Sequence, residues 1–316
     1  MKLKLLAAAL CGLCLAASAN AQSSSTATPT SSVSLYGVMD LAVGHVGGSP
    51  TQLYGVSPQT NGTSRIGLRG SEDLGGGYSA GFNLESEIRP DDGTGAATGG
   101  GINFARAANV TLSSPMGSVR MGRTLTPSYY AFTVWDLTSA ANYNVVNSQF
   151  GYAGLSSRQN AEFSYTTPEF AGLQATVAHV LAANNAGVSK DDVSVSYRSG
   201  PLAAALSYNK LSNTGKNLAL GGSYDFGVVR LGASYQDARG AGKGRGYTLG
   251  ARMPVGLFSF GVDMARDTDR GDTDWLLEAR YHLSKRTFVY AAQLSNGAGK
   301  TAKDVNTSLL GIRHNF

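Results

Sequence analysis

The sequence predicts an all-β fold, a transmembrane antiparallel β-barrel of about sixteen strands. Three observations support this prediction. Short segments alternate apolar and polar residues, tight turns and long polar loops follow them in alternation, and no apolar run after residue 21 is long enough for a transmembrane helix. A soluble sandwich or propeller is the alternative because its strands also alternate, but its connections need not alternate between short and long.

The beginning of the chain has the features of a secretory signal. Lys2 and Lys4 precede a short apolar run, which is followed by a small-x-small cleavage site ending at Ala21. We therefore expect residues 1–21 to be removed and residues 22–316 to form a single barrel domain.

The predicted signal contains both cysteines of the chain, Cys11 and Cys14, so the mature protein has none. A lipoprotein signal is the alternative interpretation, but both cysteines lie inside the apolar run, where a lipoprotein cleavage site does not fit. The mature chain carries 24 Lys and Arg residues against 21 Asp and Glu residues. This small, dispersed excess does not indicate nucleic-acid binding.

The strand pattern is clearest in residues 33–43, 228–236 and 274–283, where apolar side chains recur at every second position. In the last of these segments Glu278 and Arg280 share the face opposite the aromatic side chains. Because no strand edge can remain unpaired in lipid, such a sheet must close on itself. About sixteen strands then enclose a water-filled channel lined by the polar face.

The connections indicate how the barrel is oriented. In outer-membrane barrels the short turns are periplasmic and the long loops are external. The longer polar stretches, which we expect to be external, are residues 47–62, 91–101, 125–157, 184–190, 238–243, 268–272 and 296–303.

The chain ends in an amphipathic strand whose last residue is Phe316, with Leu310 and Ile312 on the same face. An aromatic last residue is typical of outer-membrane barrels, so we expect Phe316 to act as an assembly signal. His314 departs from the usual pattern, in which a further apolar residue occupies that position.

Short motifs occur along the mature chain in a fixed order: Leu35-Tyr36-Gly37, residues 64–75, 223–227, 247–250 and 283–287, and the terminal Gly-Ile-Arg-His-Asn-Phe. In this order and spacing they resemble the trimeric general porins of Gram-negative bacteria, in particular their anion-selective branch. The resemblance covers nearly the whole mature chain. It implies a passive channel for small hydrophilic solutes and ions, preferring anions and needing no cofactor.

The resemblance also implies the partners of the chain. These are two further copies in a homotrimer, the lipid and lipopolysaccharide of the outer membrane, and the barrel assembly machinery.

The resemblance further implies a third external loop that folds into the barrel and forms a constriction. The corresponding stretch, residues 123–157, is the longest without alternation. It contains Tyr129, Tyr130 and Trp135, and Asp136 is its only acidic residue. A flexible external loop is the alternative, but the apolar content favours a packed loop.

Arginines are the candidate residues of the opposite wall. Strand parity puts Arg65 and Arg69 on one face, and the resemblance matches Arg65, Arg106 and Arg158 to basic residues that face the constriction loop. Arg120 either lines the same wall or anchors the base of the loop. Several arginines opposite one loop carboxylate predict a net positive constriction that favours anions.

For any one of these arginines the alternative is a simple ion pair with a lumen carboxylate, for which Asp40, Glu85 and Glu87 are candidates.

Small and partly polar residues follow one face of the segment 102–113, opposite Arg106: Ala105, Ala107, Asn109 and Thr111. Such a face suits a neighbouring subunit better than lipid, which agrees with a trimer.

Four acidic residues near one external loop are a weak candidate for a Ca²⁺ site: Asp267, Asp269, Asp272 and Asp274. A solvated acidic loop, or contact with lipopolysaccharide through divalent cations, is the favoured alternative.

Three other functions remain open at the level of sequence. An outer-membrane barrel enzyme would need a nucleophile with a base, and no motif supplies one. A substrate-specific channel would need a binding site along the lumen, for which Tyr129, Tyr130 and Trp135 are available. A structural adhesin barrel would have a closed lumen.

Overall fold

The structure is a computed structural model that describes residues 31–95, 103–152, 156–297 and 305–316. The predicted signal, residues 1–21, lies outside these ranges, as does the start of the predicted mature domain. Within the described ranges no helix has the length and apolar character needed to cross a membrane.

The described residues form sixteen long strands and two short ones, β2 and β5, which lie in the loops after the first and third long strands. The strands are β1 (Ser31–Val46), β2 (Gln52–Tyr54), β3 (Arg65–Gly75), β4 (Tyr78–Arg89), β5 (Thr94–Gly95), β6 (Ala107–Ser114), β7 (Gly117–Leu125), β8 (Arg158–Thr166), β9 (Leu173–Val180), β10 (Lys190–Ser199), β11 (Leu202–Leu211), β12 (Lys216–Asp225), β13 (Arg230–Asp237), β14 (Arg245–Val255), β15 (Phe258–Asp267), β16 (Asp272–His282), β17 (Thr287–Asn296) and β18 (Val305–Asn315).

The sixteen long strands form a closed antiparallel ring. Each pairs with its neighbours along the chain, and β1 closes the ring by pairing with β18 on one edge and with β3 on the other. Phe316 extends this seam: its N–H donates to the Gly37 carbonyl over 3.1 Å, and its carbonyl accepts from the Gly37 N–H over 3.0 Å. The predicted sixteen-stranded barrel is confirmed.

Polar side chains face the interior of the barrel and apolar side chains face outward. On β11 and β12, Asn209 and Asn217 are fully buried, whereas Leu206 and Leu220 are exposed on the outer surface. This arrangement is the reverse of a soluble fold, and it suits a sheet whose outer face is solvated by lipid.

The third loop contains two helices, α1 (Pro127–Trp135) and α2 (Val145–Phe150). Thr126 caps α1 by accepting a hydrogen bond from the Tyr129 N–H at 3.1 Å, and Asn144 caps α2 by accepting from the Asn147 N–H at 2.8 Å. Side-chain acceptors at these positions satisfy N–H groups that have no partner within the helix.

This loop packs inside the barrel, as the resemblance predicted. Phe132, Trp135 and Phe150 are buried. The indole of Trp135 lies directly against Gly221 of β12, where a Cβ atom would come within 2.3 Å of the ring. Only glycine leaves room for this close approach. The inward position of the loop therefore depends on Trp135 in the loop and on Gly221 in the barrel wall.

The first loop also enters the barrel, although its polar sequence predicted an external loop. Residues 47–62 were expected to be external, but Thr60 and Asn61 are completely buried. The Asn142 N–H in the third loop donates to the Asn61 carbonyl over 2.9 Å. Contact between the two loops therefore draws the end of the first loop inward.

The interpretation of the β6 face as a subunit contact is wrong. Ala107, Asn109 and Thr111 pair with Glu85, Asn83 and Gly81 of β4, and all six residues line one cavity inside the barrel. The exposed outer face of β6 carries Val110 and Leu112 instead. Arg106 lies in a bend before β6, so its side chain reaches the lumen without following the strand alternation.

Candidate functional site

Three arginines converge on one carboxylate inside the barrel. The Arg106 Nε lies 2.7 Å from Glu85 Oε1, the Arg65 Nε lies 3.2 Å from Glu85 Oε2, and the Arg158 Nη2 lies 3.9 Å from Oε1. We call these four residues the arginine cluster. Ion pairing with Glu85 was the alternative considered for each arginine, but one carboxylate shared by three arginines leaves a net charge of +2.

The barrel strands position this cluster. Glu85 is on β4, whose two neighbours are β3, which begins with Arg65, and β6, which follows Arg106. The Arg106 N–H donates to the Glu85 carbonyl at 3.1 Å. Arg158, the first residue of β8, crosses to the same point because its Nε donates to the Arg106 carbonyl at 2.8 Å.

Two cavities lie on either side of the cluster, with volumes of about 380 and about 400 Å³. Of the residues that line them, the two cavities share only Arg106 and Arg158. These two arginines therefore border both spaces.

Arg69 and Arg120 lie in the first of these cavities and outside the cluster. The Arg69 guanidinium lies 5.2 Å from the ring centre of Tyr36. Arg120 donates to the hydroxyl groups of Thr124 and Tyr130, both at 3.2 Å. Arg120 thus lines the cavity and also contacts the third loop, which combines the two roles considered for it.

The aromatic residues of the third loop have different surroundings. Tyr130 is exposed to the cavity beside Arg120. Tyr129 packs edge-on against Tyr152, with ring centres 4.8 Å apart. Trp135 is buried against β12, in the wall of the barrel across from the arginine cluster, which we call the far wall, and it does not line this cavity. The three residues therefore do not form a continuous aromatic surface along the lumen.

Asp136 does not face the arginine cluster, contrary to the sequence expectation. Its carboxylate turns into the loop, where it accepts from the Ala140 N–H at 2.6 Å and from the Thr138 hydroxyl at 2.9 Å. Burial raises the pKa of the Asp136 carboxyl, and these hydrogen bonds partly offset that rise. The carboxylate closes a turn of the loop, which explains why it is unavailable to the opposite wall.

A second charged group lies on the far wall, and the sequence did not predict it. Glu278 Oε1 accepts from the Tyr143 hydroxyl at 2.5 Å and from Arg280 Nη2 at 3.0 Å, and Arg252 also binds the Glu278 carboxylate. The alternation of residues 274–283 already put Glu278 and Arg280 on the lumen face. What it could not indicate was the partner, a tyrosine in the third loop.

The carboxylates of the acidic run do not come together within the described residues. Within the part of the chain that the structure describes, no group of three or more His, Cys, Asp or Glu residues is arranged to hold a metal ion. Asp267 accepts from the backbone of Asp269 and Arg270, Asp269 pairs with Arg245, and Asp274 is buried and accepts from Gln149. Asp272 begins β16. The carboxylates therefore serve separate partners.

Comparison with known proteins gives a consistent result. A family profile described as Gram-negative porin matches residues 6–296. Outer membrane porin protein 32 of Delftia acidovorans is 33% identical over 302 residues, covering 84% of each chain. An outer membrane porin protein of Bordetella pertussis is 31% identical over 312 residues, covering 84% of this chain and 78% of the relative. The solved structure of an anion-selective porin from Comamonas acidovorans aligns with a TM-score of 0.73 and 31% identity, covering 91% of this chain and 100% of the other.

Proposed function

Because this chain belongs to the Gram-negative porin family, we propose that the arginine cluster makes its pore prefer anions. The chain is an outer-membrane porin, a passive water-filled channel for small hydrophilic solutes and ions, and its family indicates a channel rather than an enzyme. One observation carries the anion preference: Arg65, Arg106 and Arg158 share the single carboxylate of Glu85.

The electrostatics of a narrow pore support this proposal. Asp136 is the only acidic residue of the third loop, and its carboxylate is occupied inside that loop. The net positive charge of the arginine cluster therefore has no counterpart on the loop side. In a partly water-excluded passage such a field is screened less than at an open surface, so it attracts anions and repels cations. The similarity to a porin described as anion-selective agrees with this.

We expect the reconstituted channel to prefer Cl⁻ over K⁺. In a planar bilayer under a KCl gradient, the reversal potential should have the sign of anion selectivity. The preference should shrink as salt rises, because the Debye length falls from about 10 Å at 0.1 M to about 3 Å at 1 M. A reversal potential near zero at low salt would contradict the proposed selectivity, and absence of conductance would contradict the channel itself.

We also propose that the chain assembles as a homotrimer through the arc from β17 through β1 to β7. Along the rest of the barrel, exposed aromatic residues form a belt near the loop end of the strands, with Tyr208, Tyr235, Tyr247 and Trp275. Such belts mark the interface between lipid and water. Among the described strands of the arc, exposed aromatic side chains occur on β4 alone, where Tyr78 and Phe82 lie in the half of the strand next to the turn and away from the loop end.

Polar groups on the outer surface of the same arc support this assignment. The Ser308 hydroxyl of β18 donates to the Gln293 side chain of β17. Gln293 lies two residues before Ser295, which pairs with Trp275 of the belt. Polar side chains at this depth are costly in lipid and are stabilised by contact with protein.

A trimer predicts a characteristic behaviour on denaturing gels. Unheated samples in mild detergent should migrate far above the 32.8 kDa of the full chain, and boiling should convert them to monomers. Replacing Gln293 by Leu should leave the oligomer intact or weaken it, whereas charged residues at both Gln293 and Ser308 should dissociate it. A sample that is monomeric under every mild condition would contradict the trimer.

A further inference from the structure

The end of the first loop, residues 60–64, lies between the arginine cluster, the third loop and the far wall of the barrel. On the cluster side, Arg65 Nη1 donates to the Thr63 carbonyl at 3.0 Å. On the loop side, the side chain of Asn142 lies 3.3 Å from the Thr60 hydroxyl and 3.4 Å from the Thr63 hydroxyl. This short segment therefore contacts both the arginine cluster and the third loop.

Asn61 is the centre of this segment, and each of its polar groups has a partner. Its side-chain Nδ2 donates to the Tyr143 hydroxyl at 2.9 Å and to Glu278 Oε1 at 3.2 Å, while its Oδ1 accepts from Arg313 Nη1 at 2.8 Å. Its N–H donates to the Tyr290 hydroxyl at 2.9 Å, and its carbonyl accepts from the Asn142 N–H at 2.9 Å.

These partners belong to separate elements. Tyr143 and Asn142 are in the third loop, and Glu278, Tyr290 and Arg313 are on β16, β17 and β18. A side-chain amide is suited to this position because it donates on one side, to Tyr143 and Glu278, and accepts on the other, from an arginine. A buried network of this kind is stable only while every member is satisfied.

We propose that Asn61 is a positioning residue for conduction, through which the first loop holds the third loop in place and so sets the open cross-section of the pore. The inference rests on the proposed channel function. The start of the third loop has its own anchor, because Ser128 donates from its N–H and its hydroxyl to Asp192, at 3.1 and 2.6 Å. Asn61 and Glu278 hold the part around Tyr143. Without Asn61 that part loses a partner while α1 stays attached.

The first test compares single-channel conductance of the wild-type trimer and the Asn61→Ala variant in a planar bilayer. The variant removes the donors to Tyr143 and Glu278 and the acceptor for Arg313, so we expect the part of the loop around Tyr143 to lose its fixed position. We expect conductance to rise about 1.5-fold and the chloride preference to fall, because the narrowest section controls both. Gln236→Ala is the matched control: it also removes a buried side-chain amide, but one that bonds Ser234 on β13.

A second variant keeps the test decisive if Asn61→Ala fails to assemble. Asn61→Asp preserves size and the acceptor for Arg313, but it loses the Nδ2 donor and puts a second carboxylate beside Glu278. It should also raise conductance. Wild-type conductance in both Asn61 variants would overturn the proposal, and an equal rise in Gln236→Ala would overturn it as well, since the effect would then not depend on the first loop.

A disulfide tests whether the link between the loops itself is responsible. The described chain has no cysteine, so Thr60→Cys with Asn142→Cys introduces a single pair at positions whose side chains touch. In the Asn61→Ala background, oxidation should return conductance to the wild-type level, and reduction should raise it again. Failure of the oxidised pair to lower conductance would overturn the proposal. Loss of ion preference in the wild type would instead contradict the proposed selectivity, so the two failures are distinguishable.

Discussion

Under a KCl gradient in a planar bilayer, the Arg106→Glu variant is expected to lose most of its chloride preference, and the double variant Arg106→Glu with Arg158→Glu is expected to prefer potassium. The arginine cluster carries a net charge of +2. Each exchange replaces one positive charge by one negative charge and so lowers the net charge by two units. The single variant therefore leaves a neutral cluster and the double variant a negative one. Since both side chains border the two cavities, ions pass close to the altered charge.

The measurement is the reversal potential at about 0.1 M and about 1 M salt, where the Debye lengths differ about threefold. Arg239→Glu is the matched control, because it changes charge by the same amount on an exposed side chain that pairs with Asp237 in an external loop. This control should keep the wild-type reversal potential. Equal effects of Arg106→Glu and Arg239→Glu would show that overall charge, and not the arginine cluster, determines selectivity.

Deletion of Phe316 is expected to lower the yield of assembled barrel on the order of tenfold while leaving the conductance of assembled pores unchanged. The deletion removes the two hydrogen bonds between the backbones of Phe316 and Gly37, which extend the seam between β18 and β1. It also removes the ring that covers Gly37. Two net hydrogen bonds of about 1 kcal/mol each account for an effect of this size, before any recognition by the assembly machinery.

The assembled fraction is measured as heat-modifiable oligomer in isolated outer membranes, and conductance is measured on the purified remainder. Phe316→Tyr is the matched control, since it keeps the backbone bonds and the ring. Normal yield after the deletion would refute a role in assembly. An altered conductance in the surviving pores would place Phe316 in the conduction pathway, which its position at the rim of the seam does not predict.

Much of the barrel could be predicted from local pattern. Alternation with a period of two specifies which side chains share a face, and in a closed sheet that leaves only an inner and an outer face. Arg65 and Arg69 were assigned to the lumen in this way. Closure itself followed from the requirement that no strand edge remain unpaired in lipid. These properties follow from the alternation of neighbouring residues and from the need to pair every strand edge in lipid. The sequence alone is therefore enough to predict them.

The pattern failed where the backbone leaves regular strand geometry. Arg106 lies in a bend, so the parity of β6 could not be inferred from it, and the face of Ala107, Asn109 and Thr111 was assigned to a neighbouring subunit although it lines the lumen. Asp136 was assigned to the wall opposite the arginines, but a turn of the loop consumes its carboxylate. Charge and residue type are visible in a sequence, whereas the direction of a side chain in a loop is not.

The sequence by itself therefore determined a closed outer-membrane barrel with a basic lumen, because strand periodicity and lipid solvation constrain every residue in the same way. Tertiary structure alone decided how that charge is arranged. Glu85 gathers Arg65, Arg106 and Arg158, which begin or precede three different strands, and Asn61 joins residues as far apart as Tyr143 and Arg313. Such contacts form only when loops enter the barrel, and their partners are too distant along the chain for any local pattern to connect them.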